Sequence, residues 1–147
     1  MDQPKIVSYA PRHFDGVKAL WREAFPDPKA WNEPEFAIPA KLAMQPELFM
    51  IAIEGEEVIG SVMAGYDGHR GWLYAVAVRE SHRRRGIGSA LIQEAERRLQ
   101  ALGCGKINLQ IQPANVSVEE FYRRLGYGVE NRISMDKLVG RFGQGAA

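Results

Sequence analysis

The chain has 147 residues, 46% of them apolar, with 19 lysines and arginines against 18 aspartates and glutamates and a net charge of +1. Such a length buries one core without disulfides or metals, and the even, interleaved charge argues against a protein that coats nucleic acid with a broad basic face. One cysteine, Cys104, excludes an intrachain disulfide and is expected as a small buried side chain.

"PKIVSYA" (4–10) reads as a first strand. Pro11 opens a helix over 12–25 whose Phe14, Val17, Leu20, Trp21 and Ala24 share one face. "FPDPKAWNEPEF" (25–36), with its three prolines, is expected as a loop, and a second helix interrupted by Pro39 is expected over 35–45. "LFMIAIE" (48–54) and "EVIGSVMAGY" (57–66) are strand runs joined by a tight hairpin at Gly55. "DGHRG" (67–71) supplies the next turn through Asp67 and Gly68, leading to the strand "WLYAVAV" (72–78). A long helix follows, with Ile87, Leu91, Ala95, Leu99 and Leu102 as its apolar stripe, a Glu94–Arg98 pair on its wetter side and Gly103 as its stop.

"KINLQIQ" (106–112) alternates as a strand with one buried face. Ser117 and Glu120 stand as a capping box for a last helix carrying Val118, Phe121, Tyr122 and Leu125, ended by Gly126. "YGVE" and "ISMDKLV" then read as a closing strand pair. The expectation is one mixed α/β domain over 1–139, with 140–147 as a frayed tail. His13, His69 and His82 have no ligand spacing, so no metal is expected. The N-terminus lacks a basic region followed by an apolar run, and no apolar stretch approaches the ~20 residues that span a bilayer. A soluble cytoplasmic protein is expected.

The chemistry concentrates in "AVAVRESHRRRGIGSA" (75–90). A strand ends near Val78, a short loop follows, and a helix starts between Gly86 and Gly88. The first N–H groups of a helix lack intrahelical partners and lie at the positive end of its dipole. Glycines at 86 and 88 would let an anion approach the backbone, with Arg83, Arg84 and Arg85 adding charge to the rim; a strand–loop–helix unit of this kind suits a phosphate. A nucleotide-triphosphate loop would need Lys-Ser/Thr after its last glycine, where this chain has Ser89-Ala90, and a dinucleotide fingerprint would need a third glycine where Leu91 stands.

Arg83-x-x-Gly86-x-Gly88 after an apolar strand resembles the signature of the GNAT superfamily of acetyl-CoA-dependent N-acetyltransferases. "NVSVEEFYRRLGY" (115–127) resembles the later motif of that family, and "WNEPE" (31–35) with "AGYDGHRG" (64–71) is similar to segments of its bacterial YpeA-like branch. The resemblance runs along nearly the whole chain. It implies the GNAT fold, a mostly antiparallel mixed sheet of six or seven strands with about four helices, splayed between strands 72–78 and 106–112. It also implies acetyl-CoA as co-substrate. Arg83, Arg84, Arg85, Gly86, Ile87, Gly88 and Ser89 would hold its pyrophosphate, Val76, Ala77 and Val78 would pair with the pantetheine arm, and Asn115 would hydrogen-bond the coenzyme.

Tyr122 falls where the family places a phenol beside the thioester sulfur, able to protonate the departing thiolate. Many members carry a glutamate base on the strands equivalent to 72–78 or 106–112, and this chain has no carboxylate on either. Asp67, His69 and Glu33 are the alternatives on the acceptor side. The expected activity is acetyl transfer to a primary amine of a small molecule or peptide, by direct attack in a ternary complex. Competing readings are a non-catalytic acyl-CoA-binding or sensing domain and, less compatible with the charge, a nucleic-acid module. Neither nucleic acid nor membrane is expected as a partner, and a homodimer is compatible with the resemblance.

Overall fold

The computed structural model describes residues 3–143. A five-stranded sheet runs in the order β1 (Lys5–Ser8), β2 (Phe49–Glu54), β3 (Glu57–Tyr66), β4 (Gly71–Val78) and β5 (Ile107–Asn108). The first four strands are antiparallel and β5 lies parallel to β4. Four α-helices cover both faces: α1 (Phe14–Ala24), α2 (Pro34–Ala43), α3 (Ile87–Ala101) and α4 (Val116–Arg124).

Because both faces are covered, β2 and β3 are apolar runs rather than simple alternations. Phe49 and Ile51 point toward α1 and α2, where they meet Val17, Leu20, Trp21 and Ile38. Their neighbours Met50 and Ala52 point the opposite way and join Ile87, Leu91, Ile92, Ala95 and Leu99 of α3.

The turns form where the residues require them. Gly55 takes φ = 62° between β2 and β3. Asp67 closes the β3–β4 turn by accepting 2.7 Å bonds from the N–H groups of His69 and Arg70, with Gly68 at φ = 89°. The helices α3 and α4 share one stop. Gly103 and Gly126 are left-handed, and the next residue, Cys104 or Tyr127, bonds back to the carbonyl of Leu99 or Tyr122.

Several expectations are corrected. Leu102 falls past the end of α3 and is 45% exposed, leaving the apolar stripe one residue shorter. Asn115, not Ser117, takes the N-cap position of α4, so Ser117 and Glu120 lie inside the helix and form no capping box. Helix α2 begins at Pro34, inside the expected loop, and contains Pro39. A ring at 34 is harmless in a first turn, while that at 39 removes one bond, to the carbonyl of Glu35.

The sheet has five strands where six or seven were expected, because β5 keeps only two residues in register and the 127–139 stretch joins no ladder. That stretch is tied to β5 through side chains instead. Lys106 and Asn108 hold the Glu130 carboxylate at 2.7 and 2.8 Å, and Gln110 donates to the Ser134 hydroxyl at 2.6 Å. A strand that turns away from its neighbour after Asn108 offers no flat edge on which another could build.

At the C-terminal end, Gly140–Phe142 form a short 3₁₀ turn, and Phe142 sets its ring edge-on against Trp31 and Phe36. The remainder of the expected tail, 144–147, lies outside the described residues.

Candidate functional site

The site is organised by a fault in β4. Met63 pairs with Tyr74 and Ser61 with Ala77, so β4 uses one residue more than β3 between these points. Ala75 absorbs it at φ = 52°, a conformation rare for a residue with a Cβ. The bulge is buttressed from behind by fully buried Ser61, which accepts a bond from Trp21 Nε1 at 2.9 Å and donates one to the Ala75 carbonyl at 2.8 Å.

On the other side, β4 and β5 pair only at Gly71–Ile107 and Trp72–Asn108 and then part. This is the splay expected between the two strands. Both cavities described below reach Gln110, on the diverging side of the gap.

Beyond Val78 the chain turns through Glu80–His82 into residues 83–86. Arg84 (φ = 65°) and Gly86 (φ = 78°) are both left-handed, and Ala90 makes the first intrahelical bond, to the Gly86 carbonyl. The N–H groups of Ile87, Gly88 and Ser89 therefore precede the helical ladder. A Cβ built on Gly86 would meet nothing within 4 Å, so this glycine faces open space. Gly88 differs: a Cβ there would stand 3.2 Å from the ring of Phe121 and 3.6 Å from Val78. Its smallness seats α4 against the start of α3.

The three arginines are likewise unequal. Arg85 is held by Glu54 at 2.9 Å, and the same carboxylate accepts from His82 Nε2 at 3.0 Å. Those partners hold the Glu54 carboxyl below its ordinary range. Arg83 and Arg84 are exposed and make no side-chain bond among the described residues. A left-handed opening with free N–H groups and two free guanidiniums fits a pyrophosphate.

In β4, Ala77 is buried against the α1 side, while Val76 and Val78 pack partly on the α3 side. Asn115 is exposed at the start of α4, its Oδ1 3.4 Å from the Ser117 hydroxyl, and no hydrogen bond joins it to the 83–89 loop. Tyr122 is 7% exposed and lies edge-on to Phe121 and Tyr127. Burial pushes its phenol up to about 12, and its hydroxyl makes no hydrogen bond among the described residues. Tyr127, by contrast, donates to Glu96 at 2.6 Å and is raised by burial and then by that carboxylate.

Two cavities flank the strand gap. One, of about 910 Å³, lies between α1, the 25–36 segment, α2 and the β3–β4 face, and is lined by Trp21, Trp31, Glu33, Lys41, Tyr74 and Ala75 among others. The other, of about 1190 Å³, holds Tyr122, Tyr127, Trp72 and Cys104. Of the three acidic or imidazole candidates, only Glu33 reaches the first cavity. Asp67 and His69 sit on the β3–β4 turn at the paired end of the strands, with the Asp67 carboxyl lowered by the two N–H groups it accepts. Cys104 is buried beneath Gly71 and donates to the Lys106 carbonyl at 3.3 Å, as expected of a packing thiol. Among the described residues there is no cluster of histidine, cysteine and carboxylate side chains that could hold a metal.

Lys41, Ser61 and Gln110 did not stand out in the sequence. Lys41 had a readable signal: it is the one charge in "FAIPAKLAM". Ser61 gives none, because only the fold brings it beneath Ala75.

The family model described as "Acetyltransferase (GNAT) family" matches residues 14–127. The chain belongs to the GNAT acetyltransferase family. It is 42% identical over 120 residues to an acetyltransferase of Sodalis glossinidius, covering 82% of this chain and 84% of the relative. It is also 42% identical over 126 residues to one of Pectobacterium atrosepticum, covering 86% and 89%. Among solved structures it resembles an aminoglycoside N-acetyltransferase, AAC(6')-Iy, in complex with CoA, with TM-score 0.77, 19% identity and coverage of 94% and 96%. It also resembles the PaiA N-acetyltransferase of Thermoplasma acidophilum in complex with coenzyme A, with TM-score 0.78, 18% identity and coverage of 89% and 93%. These likenesses establish the GNAT fold for the chain. No helix among the described residues is long and apolar enough to cross a membrane.

Proposed function

We propose that this acetyltransferase moves an acetyl group from acetyl-CoA to a primary amine by direct attack, both substrates being bound together. The observation that carries the reading is the left-handed, open start of α3 at Gly86, set beside the gap between β4 and β5. In this reading Ile87, Gly88 and Ser89 offer N–H groups to the pyrophosphate, with Arg83 and Arg84 on the rim. Arg85, engaged by Glu54, shapes the loop. Val76, Ala77 and Val78 present strand backbone to the pantetheine amides, and the bulge at Ala75 aims N–H groups at the thioester carbonyl. Asn115 steadies the coenzyme from α4.

The amine approaches through the cavity lined by Trp31, Lys41 and Tyr74. Its nitrogen lone pair forms the C–N bond as the C–S bond breaks. The nitrogen proton passes toward water and Glu33, the carboxylate of the three candidates that reaches this cavity. Tyr122 donates a hydrogen bond to the leaving sulfur. With its phenol pushed up to about 12 it remains protonated at neutral pH and is a weaker acid than a free phenol. The buried, hydrogen-bonded position of Cys104 supports direct attack over an acyl-cysteine route.

The names of two structural neighbours, AAC(6')-Iy in complex with a bisubstrate analogue containing acetylneamine and an Escherichia coli ribosomal-protein-S18-alanine N-acetyltransferase, support an amine without choosing one. The test is initial-rate thiol release with a panel of amines at varied acetyl-CoA. Direct attack gives intersecting reciprocal lines, whereas parallel lines contradict it. Coenzyme binding without turnover on any amine favours the sensing domain instead.

A further inference from the structure

Lys41 is a buried cation with no ion-pair partner among the described residues. It lies on the inner face of α2 at 6% exposure and lines the cavity beside β3 and β4. Its Nζ donates to the Ala64 carbonyl and stands 5.6 Å from the centre of the Tyr74 ring. An ammonium has three donors, and this is the one hydrogen bond it makes among the described residues. Among the described residues no carboxylate lies within ion-pair distance. Glu35, across the cavity, is taken by Lys18 at 2.6 Å, and Glu47 acts only at longer range.

Burying a charge without a counter-ion is costly. Met63, Leu73 and Met44 line the same cavity, so an apolar side chain at 41 would suit the surroundings better. Space has been left beside the ammonium: a Cβ on Gly65 would come within 3.9 Å of both Nζ and the Tyr74 ring.

We infer that the acceptor amine carries a carboxylate, and that Lys41 binds this carboxylate at the β3 side of the cavity. The inference rests on reading the cavity as the acceptor site. Beside Lys41 the wall is made by Met44, Met63, Leu73 and the Tyr74 ring, and one compact point charge there suits a monoanion, whereas a phosphoryl group would call for further donors at the same spot or an arginine fork. Burial holds the Lys41 ammonium down at about 8, and a bound anion would move it back toward its ordinary value.

The register sets the acceptor's length. Ala64 lies opposite Leu73, and the bulge at Ala75 is two residues further on, ~7 Å along the strand. The carboxylate therefore stands several bonds from the reacting amine, as in a dipeptide or an ω-amino acid.

The experiment compares acids with their amides, glycylglycine with glycylglycinamide and δ-aminovalerate with δ-aminovaleramide. Turnover with acetyl-CoA is measured, and binding to the protein loaded with CoA is measured by calorimetry. The acid is expected to be favoured by about 10-fold or more in kcat/KM and in affinity. That preference should collapse toward unity in Lys41→Met and return in part in Lys41→Arg, with CoA affinity unchanged in both. Equal use of acid and amide by the natural protein, or a preference that survives in Lys41→Met, overturns the inference. A calorimetric preference for the acid without thiol release from either pair would uphold the carboxylate site while counting against transfer to these acceptors, leaving the transfer reading to the wider amine panel; absence of both would remove the carboxylate site.

Discussion

The hydroxyl of Ser61 donates a 2.8 Å hydrogen bond to the carbonyl of Ala75, the one residue of β4 with a left-handed backbone. Trp21 of α1 completes the chain by donating from Nε1 to the Ser61 hydroxyl oxygen at 2.9 Å. A core helix is thereby wired to the point where β4 departs from regular pairing. Replacing Ser61 with alanine strands the indole N–H and frees the bulge. Stability should fall by about 1–3 kcal/mol. Turnover should fall further than that of Trp21→Phe, which leaves the Ser61–Ala75 bond in place. Equal turnover in the two variants, measured at matched folded fractions, would remove the hydroxyl from the site.

Gly86 and Gly88 should respond differently to the same change. Gly86 has room but a φ of 78°, so Gly86→Ala costs about 1–2 kcal/mol of backbone strain. It should also weaken CoA binding, because in the proposed binding mode the methyl would stand where the anion approaches. Gly88→Ala keeps an ordinary helical backbone but pushes on Phe121 at 3.2 Å, so it should disturb α4. Calorimetric titration with CoA, alongside thermal melts, separates the two effects.

Tyr122 makes no hydrogen bond among the described residues, so Tyr122→Phe should leave stability within about 0.5 kcal/mol. If the phenol serves the leaving sulfur, kcat should drop by ~10-fold or more with little change in CoA affinity. Unchanged kcat would make Tyr122 a core aromatic alone. The rate should show no alkaline decline from this group below the upper limit of ordinary assays, since its phenol is pushed up to about 12.

Lys41 makes a prediction about stability and pH. Its folded-state ammonium is lowered from 10.5 to about 8 by burial, with Glu47 opposing the shift and the Tyr74 ring facing it. Below pH 8 both folded and unfolded chains carry the charge and the burial penalty is fully present. Between about 8 and 10.5 the unfolded chain holds the extra proton, so stability rises with pH. Lys41→Met should raise stability at pH 7 by about 1–2 kcal/mol and flatten this rise. Denaturant unfolding at pH 7 and pH 10 provides the comparison, and a Lys41→Met protein less stable than the original at pH 7 would contradict it.

Much of the fold can be read from local chemistry. Gly55, Gly68, Gly103 and Gly126 each take the left-handed backbone that their turns require. The stripe Ile87, Leu91, Ala95 and Leu99 is buried as its spacing demands. The strand–loop–helix unit over 75–90 is legible because a strand, glycines and a helix start follow one another within a few residues. The rest depends on contacts between distant segments. Nothing near Ala75 announces a bulge, since an alanine at positive φ is held there by Ser61 from another strand. The arginine run looked uniform until Glu54, 31 residues away, claimed Arg85. The expected closing strands at "YGVE" and "ISMDKLV" do not form, because the edge they needed diverges at β5.

The central claim is tested most directly by mixing the purified protein with acetyl-CoA and glycylglycine, then counting free thiols against N-acetylated product by mass spectrometry. The same mixture without amine provides the control, with the protein's intact mass recorded. The account predicts one acetylated amine for each thiol released, and an unmodified protein in the control. Tight binding of acetyl-CoA with no acetylated product from any amine in the panel, or acetylation of the protein itself at Cys104 before the amine is added, would contradict it.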